Sequence, residues 1–148
     1  IYQEVRDSRN FTGKVALVTG SNSGIGEQIV KLFSALGASV VVTGRNASEI
    51  KRVAQEALEV VADITKSDQL EHLLNETIDT FKRLDILVND ADIFMFANFT
   101  DTKFWNTFDA FESVGVRSPL QLIRLAAPHL IKSKGTIINI SSVLTQTP

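Results

Sequence analysis

The sequence predicts an α/β fold built on a doubly wound parallel sheet, and three observations carry this prediction. Short runs of consecutive apolar or β-branched residues recur along the chain, which is typical of parallel strands covered on both faces. Stretches with the apolar period of an amphipathic helix separate these runs. A glycine-rich turn follows the first run and opens a helix. The length of 148 residues, 44% of them hydrophobic and 22% charged, predicts one globular domain.

The first strand and its turn form the most informative stretch. Residues 15–18 read VALV, and glycines follow at positions 20, 24 and 26. Glycine here permits a tight turn, close approach of the backbone to a pyrophosphate, and close packing of the helix on the strand. The N–H groups at the helix N-terminus would attract the phosphates. The alternative is a tight turn that binds nothing. The predicted buried stripe of the helix comprises Ile25, Ile29, Leu32, Phe33 and Leu36.

The residue that follows the second strand predicts which cofactor is preferred. Residues 40–43 read VVVT, and Gly44-Arg45 comes next, with Arg45 19 residues after Gly26 (45 − 26 = 19). In a dinucleotide fold this position meets the adenosine ribose. A guanidinium can clamp a 2′-phosphate, whereas a carboxylate would accept from a 2′-hydroxyl. Because no Asp or Glu stands there, NADP(H) is favoured over NAD(H). The alternative is that Arg45 is a solvated surface cation.

The third strand is predicted over residues 60–64, VVADI. The preceding helix is opened by the capping pair Asn46-x-x-Glu49. Its apolar face runs to Leu58, which leaves almost no connection to the strand, although such loops usually take about 2–6 residues. Either the helix ends early, near Gln55, or the chain has lost a segment.

The remaining elements follow in order. A third helix is predicted from an apolar stripe, and residues 85–89 form the fourth strand. A long helical region is predicted over residues 103–133, interrupted by Pro119 and Pro128. The fifth strand and its exit occupy residues 135–142. The stripe of the third helix consists of Leu70, Leu73, Leu74, Ile78 and Phe81.

The motif Thr19-Gly20-x-x-x-Gly24-Ile25-Gly26 resembles the cofactor loop of the short-chain dehydrogenase/reductase family, in its single-domain branch, and is similar to 3-oxoacyl-ACP reductase-like members. The resemblance runs from about Phe11 to Pro148. It implies a Rossmann-type sheet with strand order 3-2-1-4-5, incomplete at the C-terminal side. It also implies an NADP(H)-dependent oxidoreductase that interconverts a carbonyl and an alcohol by hydride transfer.

The same resemblance assigns site residues. Ser142 would be the catalytic serine, with Ser141 as the competing choice. Asp63 would accept from the adenine amine while Ile64 packs against the ring; alternatively, Asp63 caps the next turn. Ile140 would lie against the nicotinamide. The implied cofactor contacts are Gly20, Ser21, Ser23, Gly24, Ile25, Gly26, Arg45, Asp63, Ile64, Asn89, Ala91 and Ile140.

The chain departs from the family pattern after the fourth strand and inside the long helix. Asn89-Asp90-Ala91-Asp92 stands where the family has Asn-Asn-Ala-Gly. Two carboxylates beside the phosphates would repel them unless one is turned to solvent. Gly115 stands where the family usually has an asparagine, so it can permit a kink but supplies no amide. Asp90 and Asp92 are therefore not predicted as cofactor contacts, and a metal site there is not favoured.

The expected proton donor of the family, a Tyr-x-x-x-Lys segment, would lie roughly a dozen residues past Ser142, and the one tyrosine of this sequence is Tyr2. The first hypothesis is therefore the N-terminal part of a reductase or dehydrogenase, inactive by itself. The second is a non-catalytic dinucleotide-binding or oligomerising module.

Composition limits the partners. A net charge of -2 gives no support for nucleic acid or an anionic membrane. No apolar run approaches the ~18 residues of a membrane span, and the absence of cysteine excludes disulfides and a thiol nucleophile. Residues 1–10 are a polar leader before the domain at 11–148. We expect a cytoplasmic protein with a small-molecule carbonyl or alcohol substrate, forming a homo-oligomer through the helical region 103–133.

Overall fold

A computed structural model describes residues 9–54, 56–95 and 97–142. Within them, five strands form one parallel sheet in the order β3-β2-β1-β4-β5. The strands are β1 (Val15–Val18), β2 (Ser39–Gly44), β3 (Leu58–Val61), β4 (Ile86–Asn89) and β5 (Thr136–Asn139). The predicted fold class and strand order are confirmed. Because the order reverses at β1 and β4, a crevice opens at the carboxyl ends of these two strands.

Helices cover both faces of the sheet. They are α1 (Gly24–Ala35), α2 (Ala47–Val53), α3 (Ser67–Phe81), α4 (Phe104–Glu112) and α5 (Ser118–Ser133). Helices α1 and α2 lie on one face, and α3 and α5 lie on the other. A π-helical turn, Ser113–Arg117, joins α4 to α5 and contains Gly115. The predicted helical region 103–133 is thus observed as two helices around one widened turn.

Alternation along the strands fills two separate cores. Val15 and Leu17 of β1 pack toward α3 and α5, whereas Ala16 and Val18 pack toward α1 and α2. All four are at most 3% exposed. A strand buried on both faces explains why the sequence of β1 is apolar throughout instead of alternating.

The boundary between α2 and β3 differs from the prediction. Helix α2 ends at Val53, which confirms the early end, and β3 runs from Leu58 to Val61 and not over 60–64. The reason is the pairing with β2, whose Gly44 is opposite Val61 and ends the ladder. After this pair the chain turns, and the carboxylate of Asp63 accepts hydrogen bonds from the Thr65 N–H and hydroxyl.

Two helical predictions need correction. Ile25 was placed on the buried stripe of α1, yet it is 62% exposed. The first turn of α1 packs through Gly26 on Gly20 and Asp90, which follow β1 and β4, so the adjoining Ile25 lies off the buried face. Pro128 was expected to interrupt the second half of the long helix, but α5 continues through it to Ser133. Pro119, in contrast, stands in the first turn of α5, where its missing N–H costs nothing.

The strand β5 forms one edge of the sheet, and all four of its residues are exposed. Within the described residues, no helix combines the length and apolarity that crossing a membrane requires.

Candidate functional site

The glycine turn after β1 is packed tightly on one side and open on the other. Gly20 has φ +67°, and a Cβ there would lie 2.9 Å from the Cα of Ala91. A Cβ on Gly26 would lie 2.8 Å from the Gly20 carbonyl oxygen. Gly24 has φ +58°, but nothing lies within 4 Å of its Cβ position. Gly20 and Gly26 therefore allow close packing, and Gly24 leaves space beside the start of α1.

The carboxyl ends of β1 and β4 are fastened together by one hydroxyl. Thr19 Oγ1 accepts hydrogen bonds from the N–H groups of Asp90 (3.0 Å) and Ala91 (3.1 Å). Thr19 is 3% exposed, whereas Asp90 and Ala91 are half-buried, so this link lies at the edge of the core. It fixes the residues after β4 against the glycine turn, at the point where the strand order reverses.

A groove of about 310 Å³ opens at this crevice. Six predicted cofactor residues line it: Gly20, Ser23, Arg45, Asp63, Ile64 and Ala91. Ser23 also precedes α1 as its N-cap residue, so the amino end of that helix adjoins the groove. Within the described part of the chain, the N–H groups of Gly24 and Ile25 have no protein acceptor, as expected for a first helical turn. They remain available to an anion.

A second cavity of about 490 Å³ adjoins the groove, because Ala91 and Asp92 line both. Asn89, Ile140 and Ser142 lie along its wall, together with Ser141 and Gly115. The side-chain amide of Asn89 donates to Asn139 (2.8 Å), while its own buried oxygen has no hydrogen-bond partner among the described residues. The structure thus brings the predicted nicotinamide-side residues together but does not choose between the two serines.

Ser21 does not fit its predicted role as a cofactor contact. It is fully buried, its hydroxyl donates to the Val18 carbonyl (2.7 Å), and it accepts from the Thr43 N–H (2.9 Å). Its own N–H donates to the Thr43 carbonyl. All polar groups of its side chain and its N–H therefore hold the glycine turn against β2, and Ser21 is a structural residue. Gly24, Ile25 and Gly26 are not among the residues that line either cavity, and any contact of the two glycines with a ligand would use their backbone.

Asp63 lines the groove and also caps the turn that follows β3, and its contact with adenine stays a prediction. It lines the groove, and one carboxylate oxygen accepts from both polar groups of Thr65. Burial alone would raise the pKa of Asp63, but the hydrogen bonds from Thr65 and the nearby charge of Arg45 outweigh it and lower that pKa. The carboxylate is therefore ionised and held in place by Thr65.

The carboxylate of Asp90 lies against the amino end of α1. It accepts a hydrogen bond from the Gly26 N–H and is half-buried. Burial raises the pKa of Asp90, the hydrogen bond from Gly26 opposes this, and the neighbouring charge of Asp92 raises it further. One of the two carboxylates is thus turned toward the protein, while Asp92 is exposed on the wall of the groove. Asp90 nevertheless accepts from the Gly26 N–H, which is then not available to another anion.

Sequence reasoning missed a polar network that fixes the glycine turn to α2. The Asn22 side-chain amide donates to Glu49 (2.5 Å), and the Asn22 backbone carbonyl accepts from Arg52 (3.2 Å). Arg52 also makes two hydrogen bonds to Glu27 of α1 (2.9 and 2.8 Å). Hydrogen bonds from Arg52 and then Lys31 lower the pKa of Glu27 to about 2. The only sequence signal for this network was the Asn46-x-x-Glu49 spacing, which predicted a capping pair. Asn46 does cap α2, but the Glu49 carboxylate accepts from Asn22.

The predicted oligomer surface carries an exposed aromatic cluster. Phe99 stacks on Phe104 with ring centroids 5.0 Å apart, and Trp105 and Phe108 pack around them. Phe99 is 91% exposed and Trp105 68%. Self-association through α4 and α5 stays a prediction. The described residues contain no group of three or more His, Cys, Asp or Glu side chains that could hold a metal ion.

Comparison with known proteins places the chain in a family. The family described as short chain dehydrogenase matches residues 14–148. An uncharacterised oxidoreductase of Staphylococcus epidermidis is 38% identical over 135 residues, covering 88% of this chain and 58% of the relative. The chain therefore spans less than two thirds of that relative's length.

Two solved structures superpose closely on the chain. A metagenomic short-chain oxidoreductase in complex with NADP has a TM-score of 0.86 and 34% identity, covering 93% of this chain and 66% of that one. The 3-ketoacyl-(acyl-carrier-protein) reductase of Brucella melitensis, complexed with NADH, has a TM-score of 0.83 and 34% identity, covering 90% and 59%. The family match, the confirmed strand order and the glycine turn agree: this chain belongs to the short-chain dehydrogenase/reductase family of oxidoreductases.

Proposed function

We propose that the chain binds NADP(H) in the two adjoining cavities and forms the cofactor half of an oxidoreductase that interconverts a carbonyl and an alcohol. The observation that supports this most is the continuity of the site. One groove contains Arg45 at its ribose end, the next cavity contains Ser142, and Ala91 lines both. An extended dinucleotide is a ligand with two ends of different chemistry, and this arrangement fits it.

The adenosine side of the proposed site has a partner for each part of the ligand. The free N–H groups of Gly24 and Ile25 would bind the pyrophosphate. Arg45 is exposed at the end of β2 and would bind the 2′-phosphate. Asp63 would accept from the adenine amine, and the half-buried Ile64 would contact the ring.

The substrate side would use Ser142 as a hydrogen-bond donor to the substrate oxygen, with Ile140 beside the nicotinamide. When bound, the cofactor supplies or takes up the hydride. The Ser142 hydroxyl would orient the carbonyl and stabilise charge that develops on its oxygen. Asn89 would present its unpaired carboxamide oxygen to the ligand or to water.

A second candidate is a dinucleotide-binding module without catalysis. Two observations favour it: the Asp90 carboxylate occupies the Gly26 N–H, and Gly115 in the π-helical turn offers no side-chain amide to the second cavity. This candidate predicts cofactor binding with no turnover of any carbonyl, even when the chain is extended to the length of its relatives.

The proposal is tested by titrating the purified chain with NADPH and NADH and following the fluorescence of the reduced nicotinamide. We expect binding below millimolar, and tighter binding of NADPH. Arg45→Gln should weaken NADPH about tenfold and leave NADH nearly unchanged, because a charge-assisted contact to phosphate is worth about 1.5–3 kcal/mol before solvent screening. Arg124→Gln, an exposed arginine on α5, is the matched control. Equal losses for both cofactors in the Arg45 variant would refute the phosphate contact.

A further inference from the structure

The charge balance of the first groove is unexpected for a site that binds an extra phosphate. The charged residues that line it are one cation, Arg45, and three anions, Glu49, Asp63 and Asp92. Asp63 is committed to Thr65, and one oxygen of the exposed Asp92 accepts from the Ile93 N–H. Glu49 lies on α2, four residues after Arg45, and lines the same groove.

The Glu49 carboxylate is held in position by the side chain of Asn22. Its Oε2 atom accepts from the Asn22 amide at 2.5 Å. Asn22 in turn packs so closely on Gly44 that a Cβ there would lie within 2.6 Å of the Asn22 side-chain carbonyl carbon. The Arg52 guanidinium interacts with Glu49 through its charge, but its hydrogen bonds go to Glu27 and to the backbone carbonyl of Asn22. The negative charge of Glu49 is therefore fixed in the groove that Arg45 also lines, and no described residue forms a hydrogen-bonded ion pair with it.

We infer that Glu49 is a specificity-determining residue that works against Arg45, so that the groove accepts a ribose 2′-hydroxyl almost as well as a 2′-phosphate. This inference rests on the proposed function. A 2′-phosphate gains from Arg45 but is repelled by the fixed carboxylate. A 2′-hydroxyl gains less from Arg45 but can donate a hydrogen bond to Glu49, as an acidic residue at the ribose commonly accepts. Glu49 thus reduces the preference for NADPH over NADH that Arg45 alone would give.

The test is the ratio of the dissociation constants for NADH and NADPH in the 148-residue chain and in Glu49→Gln. The glutamine oxygen still accepts from Asn22, so the variant removes the charge and keeps the network. We expect the ratio to rise about fivefold to tenfold in favour of NADPH, with tighter NADPH and slightly weaker NADH, as expected for one partly screened charge. The increase should shrink at high salt.

Glu71→Gln is the matched control, because Glu71 is exposed on α3 and lines neither cavity. It should leave the ratio unchanged. Thermal unfolding of each variant shows whether it is folded, and Glu49→Ala provides a second variant that must shift the ratio in the same direction. The pair 2′,5′-ADP and 5′-AMP should repeat the result without the nicotinamide.

The outcomes separate the inference from the proposal beneath it. Binding of both cofactors with a raised ratio in Glu49→Gln supports the inference. Binding of both with an unchanged ratio overturns the inference and leaves the dinucleotide site standing. If neither cofactor binds the folded chain, the proposed function is wrong for this chain and the inference falls with it.

Discussion

Replacing Gly20 with alanine tests the close packing of the glycine turn, and replacing Gly24 provides a matched comparison. Both residues have a left-handed backbone, with φ +67° and +58°. Their surroundings differ, since an added Cβ at Gly20 would lie 2.9 Å from the Cα and 3.1 Å from the nitrogen of Ala91, whereas nothing lies within 4 Å at Gly24. The pair therefore separates backbone strain from steric overlap.

The expected cost follows from these two terms. A left-handed backbone costs an L-residue about 1–2 kcal/mol, and this applies to both variants. Overlap with backbone atoms that cannot rotate away adds about 1–3 kcal/mol at Gly20 alone. The loss of unfolded-state entropy on replacing glycine is the same for both and cancels in the comparison. We expect Gly20→Ala to cost about 2–5 kcal/mol and Gly24→Ala about 1–2 kcal/mol.

Urea unfolding followed by circular dichroism measures both free energies, and thermal unfolding gives an independent check. For a chain of this size, 1 kcal/mol shifts Tm by about 2–4 °C, so the two midpoints should differ clearly. If Gly20→Ala were no less stable than Gly24→Ala, the close approach of the turn to the residues after β4 would be wrong.

Three further changes test other parts of the structure. Burial alone would raise the pKa of Asp85, but hydrogen bonds, chiefly from Arg83, lower it. Asp85→Asn should therefore lower the free energy of unfolding by about 1–3 kcal/mol at pH 7, measured by urea unfolding. The loss should be smaller as the pH falls below about 4. The pKa of Glu27 is lowered to about 2, chiefly by Arg52. The Glu27 carboxylate therefore stabilises the fold above its unfolded pKa of about 4.3, and this stability is lost as the pH falls toward 2. Acid unfolding of Arg52→Gln should show a smaller loss of stability, and an unchanged profile would contradict the assigned cause. Asp90→Asn should tighten the binding of NADPH about fivefold, because it removes a carboxylate from the amino end of α1. This gain in affinity should disappear at acidic pH, where Asp90 with its raised pKa is itself neutral. A titration with NADPH at two pH values checks both points.

Much of the fold was predictable because parallel strands buried on both faces leave a simple sequence pattern. The run VALV of β1 and the stripe of α3 appear where they were expected. The start of β3 was misplaced because Glu59 interrupts the apolar residues at its beginning, and only the pairing with β2 decides where the strand begins and ends. Local sequence carries no information on that pairing.

The candidate site was predictable at its ends and not in its middle. Arg45, Asp63 and Ser142 follow strands, so their positions at one edge of the sheet follow from the parallel topology. The structural use of Ser21 and the contact of Asn22 with Glu49 depend on side chains brought together from different elements. The π-helical turn around Gly115 was also hidden, because an apolar period does not show one extra residue in a helical turn.

The most direct test of the account is amide chemical-shift mapping of the 15N-labelled chain during titration with NADPH. The account predicts that the amides of Ser23, Gly24 and Ile25 shift most among the residues of the turn, and that they follow the same dissociation constant as the nicotinamide fluorescence. Saturation of the fluorescence while these three amides remain unmoved would contradict the claim that the amino end of α1 holds the pyrophosphate.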